Sequence, residues 1–271
     1  MTSLQKVIKY LAMAFAIYLS VSIIGGICAG LASVSSLFSK RETAAGQMQV
    51  YSIEEDVSEL SLKLSGADLQ IKTGDHFSVA SNHKYLSVNT KDGQLSITET
   101  KDLFSVSPKG VTVVLYIPAD FVFDEVTMET GAGQVKIDTL SADVLKLSLG
   151  AGEVEIQNLT ATTRADIEGG AGEMTIGGGL LRNLNLDMGV GELKLRSRIE
   201  GSSQLNFGVG EAELTLVGSR EDYQIELDKG ICEAKLEGEA MRDDSVYGSG
   251  ENRIEIDSGI GEIEIDFSRG G

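Results

Sequence analysis

One seven-residue motif recurs seven times in the second half of the chain: GAGQVKI (131–137), GAGEVEI (150–156), GAGEMTI (170–176), GVGELKL (189–195), GVGEAEL (208–214), GICEAKL (230–236) and GIGEIEI (259–265). The first glycines stand 19, 20, 19, 19, 22 and 29 residues apart. A period of that length restricts the chain to architectures in which each copy is one small unit that buries its apolar face only against its neighbours. The longest gap holds an acidic, glycine-rich insertion at residues 237–252.

Alignment on the first glycine gives nearly every column a role. The residues four and six places after it are apolar in every copy, as in Val154/Ile156 and Leu193/Leu195. Those three and five places before it are mostly apolar, as in Leu147/Leu145 and Leu186/Leu184, with Ser203 breaking the pattern. Charged and polar residues fill the positions between. Period two on both sides of a G-x-G corner means two short strands, each with one apolar face. Glycine suits the corner because a sharp bend needs positive φ or leaves no room for a Cβ. The middle residue, from Ala132 to Ile260, is expected to point inward and plug the bend. Cys232 replaces the second glycine of one copy and reads as a tolerated small residue rather than a reactive thiol.

Like columns would stack at about 4.8 Å per coil. The expected fold is therefore all-β: a parallel β-solenoid of about 19-residue two-strand coils, with two sheets facing across a thin core. An antiparallel sandwich does not predict the same residue at the same phase in every copy. Return loops such as DTLSAD and QNLTATT offer Leu140 and Leu159 as anchors. Residues 126–271 form the regular part, and 51–125 its irregular β-rich start, where SLKLSGADLQI (61–71) reads as a repeat with a shortened corner.

The first forty residues are of another kind. Tyr10 to Phe38 carries no charge and is flanked by Lys6 and Lys9 on one side and Lys40 and Arg41 on the other. About 20 apolar residues suffice to cross a bilayer, so a transmembrane helix over 10–38 is expected, after a short tail (1–9) and before a stalk (39–50). A cleaved signal peptide competes, although the apolar run exceeds the usual h-region of about 7–15 residues. With two basic residues on each side, charge alone does not set the orientation. Beyond residue 41 the chain holds 19 basic and 41 acidic residues. That balance excludes the basic footprint of a nucleic-acid binder.

The stretch LYIPADFVFDEVTMETGAGQVKIDTLSADVLKLSLGAGEVEI, a strand ending in Ile-Pro followed by short strands broken at small-residue–Gly corners, resembles the bacterial β-solenoid family that takes the name adhesin by analogy of fold. The resemblance covers roughly residues 50–268. It implies tethering by one N-terminal transmembrane helix, a place at the cell envelope beside stress-response systems in some relatives, and no established catalytic residues. Members commonly show Ser-Gly-Asp at the corner, where this chain has Gly-x-Gly-Glu.

No nucleophile elbow, H-E-x-x-H, phosphate-binding loop or C-x-x-C occurs, and His76 and His83 read as surface or loop residues. The chain is thus expected to be no enzyme but an extracytoplasmic, adhesin-like interaction module on the cell membrane. Its expected partners are a protein or cell-envelope polymer, with self-association through open solenoid ends. An envelope-stress sensor and a polysaccharide-active β-helix enzyme are the alternatives. No cofactor is implied. Acids recur two places before the first glycine and three after it, and a fold at the corner would bring both columns to one edge. Oxygen ligands at that spacing favour weak Ca²⁺ or Mg²⁺ binding centred on Glu168/Glu173, Asp187/Glu192 and Asp228/Glu233. Lys136, Lys194 and Lys235, two places beyond the second column, would relieve part of its repulsion.

Overall fold

The computed structural model describes residues 45–99 and 110–269. The expected tail and membrane helix, Cys28 and residues 39–44 of the stalk lie outside them. Among the described residues no helix is long and apolar enough to cross a membrane. Residues 45–50, read as stalk, belong to a strand. In chain order the strands are β1 (Ala45–Ser52), β2 (Glu59–Leu64), β3 (Asp68–Gly74), β4 (Ser78–His83), β5 (Leu86–Lys91), β6 (Gln94–Glu99) and β7 (Thr112–Pro118). The repeats follow as β8 (Phe123–Ile176), β9 (Gly179–Arg182), β10 (Leu184–Glu200), β11 (Ser202–Val217), β12 (Tyr223–Leu236), β13 (Glu239–Ala240), β14 (Ser245–Gly248) and β15 (Asn252–Ser268).

Parallel pairing advances one coil at a time, as the repeat requires. Leu186 of β10 lies opposite Ile167 of β8, and Leu205 of β11 lies opposite Leu186. Ile167 and Leu186 are each 1% exposed. Ser203, the polar exception in its column, is buried and satisfied: its Oγ accepts the Leu184 N–H at 3.0 Å. Ile167→Asp would bury an unpaired charge in this column and is expected to cost several kcal/mol, about half or more of a typical domain's stability. Thr175→Asp, exposed and opposite Lys194, should cost about 0.5 kcal/mol or less in the same thermal melt. Equal losses would mean that the in-out phase is misassigned.

Four features depart from the sequence reading. First, the coil has three strand segments rather than two. The return segments pair into a third ladder, with Leu159 on Gly179, Ala161 on Leu181 and Leu181 on Ile199. Leu140, Ala142, Leu159, Ala161, Leu181 and Ile199 are buried beneath it, so the expected anchors are inward residues of a further wall.

Second, the middle corner residue does not plug the bend. Ala132, Ala151 and Ala171 are exposed, Val190, Val209 and Ile260 are half-buried, and Ile231 is 41% exposed. The inward place falls one residue before the first glycine, where Leu149 and Met188 are buried and Phe207 half-buried. Gly169 occupies that place in one coil, and Met188 fills the space beside it, with its Sδ 2.5 Å from where a Cβ would stand.

Third, stacking does not follow chain order at either end. β15 lies between β11 and β12, with Ile256 opposite both Leu205 and Leu227. β2 and β3 likewise lie between the β6–β7 coil and the first coil of β8, with Leu60 opposite both Leu95 and Val126. The outermost coils carry antiparallel strands: β13 and β14 from the 237–252 insertion on β12, β4 on β7 and β5 on β6. Such strands replace the parallel edges of the outer coils, and β1 on β4 forms the outer edge at one end.

Fourth, His83 is buried rather than at the surface, while His76 is exposed. The His83 Nδ1 accepts the Tyr85 N–H at 3.0 Å, and Nε2 stands 3.3 Å from Glu99 Oε1. The other Glu99 oxygen accepts the Ser65 N–H at 2.6 Å. The pair therefore links the antiparallel cap to the corner of the β2–β3 coil.

Candidate functional site

The corner owes its shape to two glycine columns. The second glycine has φ between +133° and +152° at Gly133, Gly152, Gly172, Gly191, Gly210 and Gly261. A Cβ at Gly210 would overlap the carbonyl oxygen of Gly191 one coil below. Cys232 is spared this strain because its φ is not positive. Its thiol donates to the Glu233 carbonyl at 3.4 Å, and burial pushes its pKa up, away from a reactive thiolate. The first-glycine column is mostly exposed at the surface of the bend.

Along that column runs an open groove of about 830 Å³. The first glycines from Gly150 to Gly259 and the residues just before several of them, Leu149, Gly169, Met188 and Phe207, make its floor. The rim is the column two places before the first glycine. Its register along the rod reads Glu168, Asp187, Asn206, Asp257 and Asp228, with Ser148 before Glu168 in the same groove. Contacts inside the rim are neutral: the Asn206 amide donates to Asp187 at 2.6 Å, and the Ser148 hydroxyl stands 3.5 Å from Glu168. Among the described residues none of the four rim carboxylates makes an ion pair.

The column three places after the first glycine is a different environment. Glu173 lies opposite Glu192, Glu192 opposite Glu211, and Glu262 opposite both Glu211 and Glu233. Here lysines intervene as expected: Lys194 sits 2.6 Å from Glu192, and Lys235 2.6 Å from Glu262 and 3.6 Å from Glu233. Hydrogen bonding to Glu192, with added attraction from Glu213 and Glu173, raises the Lys194 pKa. Lys136 reaches Glu155 at 3.3 Å rather than the neutral Gln134.

The six expected metal ligands are therefore divided. Glu168, Asp187 and Asp228 line the groove, whereas Glu173, Glu192 and Glu233 do not. Among the described residues the acidic group with three mutually close ligand atoms is Asp228 with Asp243 and Asp244 of the insertion, all exposed. Asp243 is partly occupied, accepting the Lys229 N–H at 2.9 Å. Sequence reasoning placed Asp257 in the rim column but did not see that β15 brings it beside Asn206. It also missed Asp243 and Asp244, for which no periodic signal exists.

A family model described as Toastrack DUF4097 matches residues 41–266. Among solved structures, a candidate lipid-binding protein from Parabacteroides distasonis is 17% identical, covering 85% of this chain and 100% of its own, with a TM-score of 0.39. A candidate cell-adhesion protein from Clostridium sporogenes is 13% identical, covering 82% and 99%, with a TM-score of 0.36. A candidate adhesin from Parabacteroides merdae is 12% identical, covering 82% and 96%, with a TM-score of 0.37. No curated protein matches the sequence.

Proposed function

We propose that this chain, which belongs to the Toastrack DUF4097 family, is a non-enzymatic, adhesin-like interaction module held at the bacterial cell envelope. The solenoid works outside the cytoplasm, tethered by the apolar span expected at residues 10–38. It engages a protein or an envelope polymer through its flank.

The groove carries this reading. It offers a continuous surface over six coils, rimmed by carboxylates that form no ion pair among the described residues. Its acids stand at one phase in four of the six coils, which suits a linear partner. A catalytic carboxylate pair would be a local exception to the repeat.

The test is photo-crosslinking on intact cells that produce the full chain, with the reactive group placed at Asn206 in the groove or at Thr175 on another face. A discrete adduct from position 206 and none from 175 is expected, with the partner identified by mass spectrometry. No adduct from either position would remove the interaction reading.

A further inference from the structure

The rim charges are spaced, and the spacing is informative. With about 4.8 Å per coil, Glu168 and Asp187 form one carboxylate pair, and Asp257 and Asp228 form a second. Asn206 separates them, so the centres of the two pairs are three coils apart, about 14 Å. An extended polypeptide rises 3.3–3.4 Å per residue, so side chains four residues apart on one face stand about 13–14 Å apart. Residues two apart, at about 7 Å, fall well short of the spacing between pair centres and match at best the inner Asp187 and Asp257, about 9.6 Å apart.

Resting on the reading of this protein as an interaction module, we infer that the groove docks a cationic polypeptide segment in extended form. Lys or Arg side chains at positions i and i+4 seat against the Glu168/Asp187 and Asp257/Asp228 pairs. Charge complementarity selects the occupant. The rim carboxylates lack cation partners, whereas the neighbouring column has Lys194 and Lys235. Asp243 and Asp244 beside Asp228 add negative charge at one end of the groove. The floor suits the rest of such a segment. Exposed glycines let a backbone approach closely. The six coils extend about 24 Å, matching seven or so extended residues rather than a compact ligand.

The experiment uses the purified full chain in a neutral detergent and short fluorescent peptides of Ser, Thr and Val carrying two lysines. By anisotropy, the i/i+4 peptide should bind at least about tenfold tighter than an i/i+1 peptide of the same composition, since only the wider spacing seats both charge-assisted contacts at once. The double variants Glu168→Gln with Asp187→Asn, and Asp257→Asn with Asp228→Asn, should each weaken binding about tenfold. Glu192→Gln with Glu211→Gln should change it less than about twofold. Melting midpoints of the groove variants, expected unchanged or higher because like charges are removed, separate lost binding from lost fold.

Equal affinity for the two peptides, equal losses from the two columns, or binding of spermine as tight as the peptide would overturn the proposal and leave diffuse attraction to an acidic rod. Millimolar Ca²⁺ that raises the midpoint beyond an ionic-strength-matched sodium control and displaces the peptide would also overturn it, making the groove a divalent-ion site. A crosslinked partner without such a basic segment would sink this proposal while leaving the interaction reading intact. Absence of any crosslink would sink the interaction reading itself.

Discussion

Gly210→Ala is expected to destabilise the solenoid by about 3–5 kcal/mol, lowering the melting midpoint by roughly 10 °C. Two costs combine there. Gly210 has φ +147°, which an L side chain rarely adopts, and its Cβ would overlap the Gly191 carbonyl oxygen. The neighbour cannot yield cheaply, since Gly191 is held in register between Gly172 on one side and Gly210 on the other and its displacement would pass along the stack. Gly238→Ala is the matched comparison. Gly238 has φ +78° but nothing within 4 Å of its Cβ position, so only the conformational cost of about 1 kcal/mol applies. Similar losses at both positions would show that the corner glycines are chosen for conformation alone.

A chain stopping at Glu251 should lose much more than its final repeat. Residues 252–268 pair with β11 on one side and β12 on the other, so their removal deletes two coil interfaces. β12 keeps only its short antiparallel partners β13 and β14, and a hairpin-sized unit is marginal in water. Amide exchange over residues 223–248 is therefore expected at unfolded-chain rates, while residues 125–200 stay protected. An internal deletion of 219–251 makes the comparison. It removes the outer coil and its cap but leaves β15 on β11, so protection should persist over 252–268. Retained protection of residues 223–248 in the truncated chain would contradict the inserted position of β15.

The repeat made the coils legible because period-two burial and glycine corners are local, recurring properties of the chain. Ile167 and Leu186 could be placed one above the other from spacing alone. The side on which the corner residue lies could not. Ala132, Val190 and Ile260 suit either side of a bend, and what decides is where Leu149, Met188 and Phe207 already fill the interior. The third ladder was half visible, since Leu140 and Leu159 were readable as anchors but pairing between return segments depends on the rise between coils. Stacking order at the ends was not readable, because GICEAKL and GIGEIEI match β11 equally well in pattern. The choice rests on the 237–252 insertion, which supplies the antiparallel strands that an outermost coil needs. The rim column was assigned its outward phase from sequence. Its separation from the lysine-neutralised column depends on the curvature of the corner, on which single-residue spacing is silent.

The exchanged order at the two ends also sets a timetable for synthesis. Between residues 125 and 214 each coil meets its neighbour after about twenty residues of further chain, so pairing there is local and can proceed as the polypeptide emerges. β12 has to wait, since its sole parallel partner, β15, follows the insertion. At about 5–20 residues per second, the thirty-residue delay leaves Ile225 and Leu227 without their stacking partners for roughly 2–6 seconds. Throughout that interval the upper edge of β11 is equally open, and either the correct segment or its near-identical sibling could occupy it. The acidic insertion that follows β12 emerges before β15, and its strands β13 and β14 can cover one edge of the waiting strand, leaving the other edge free for the late arrival.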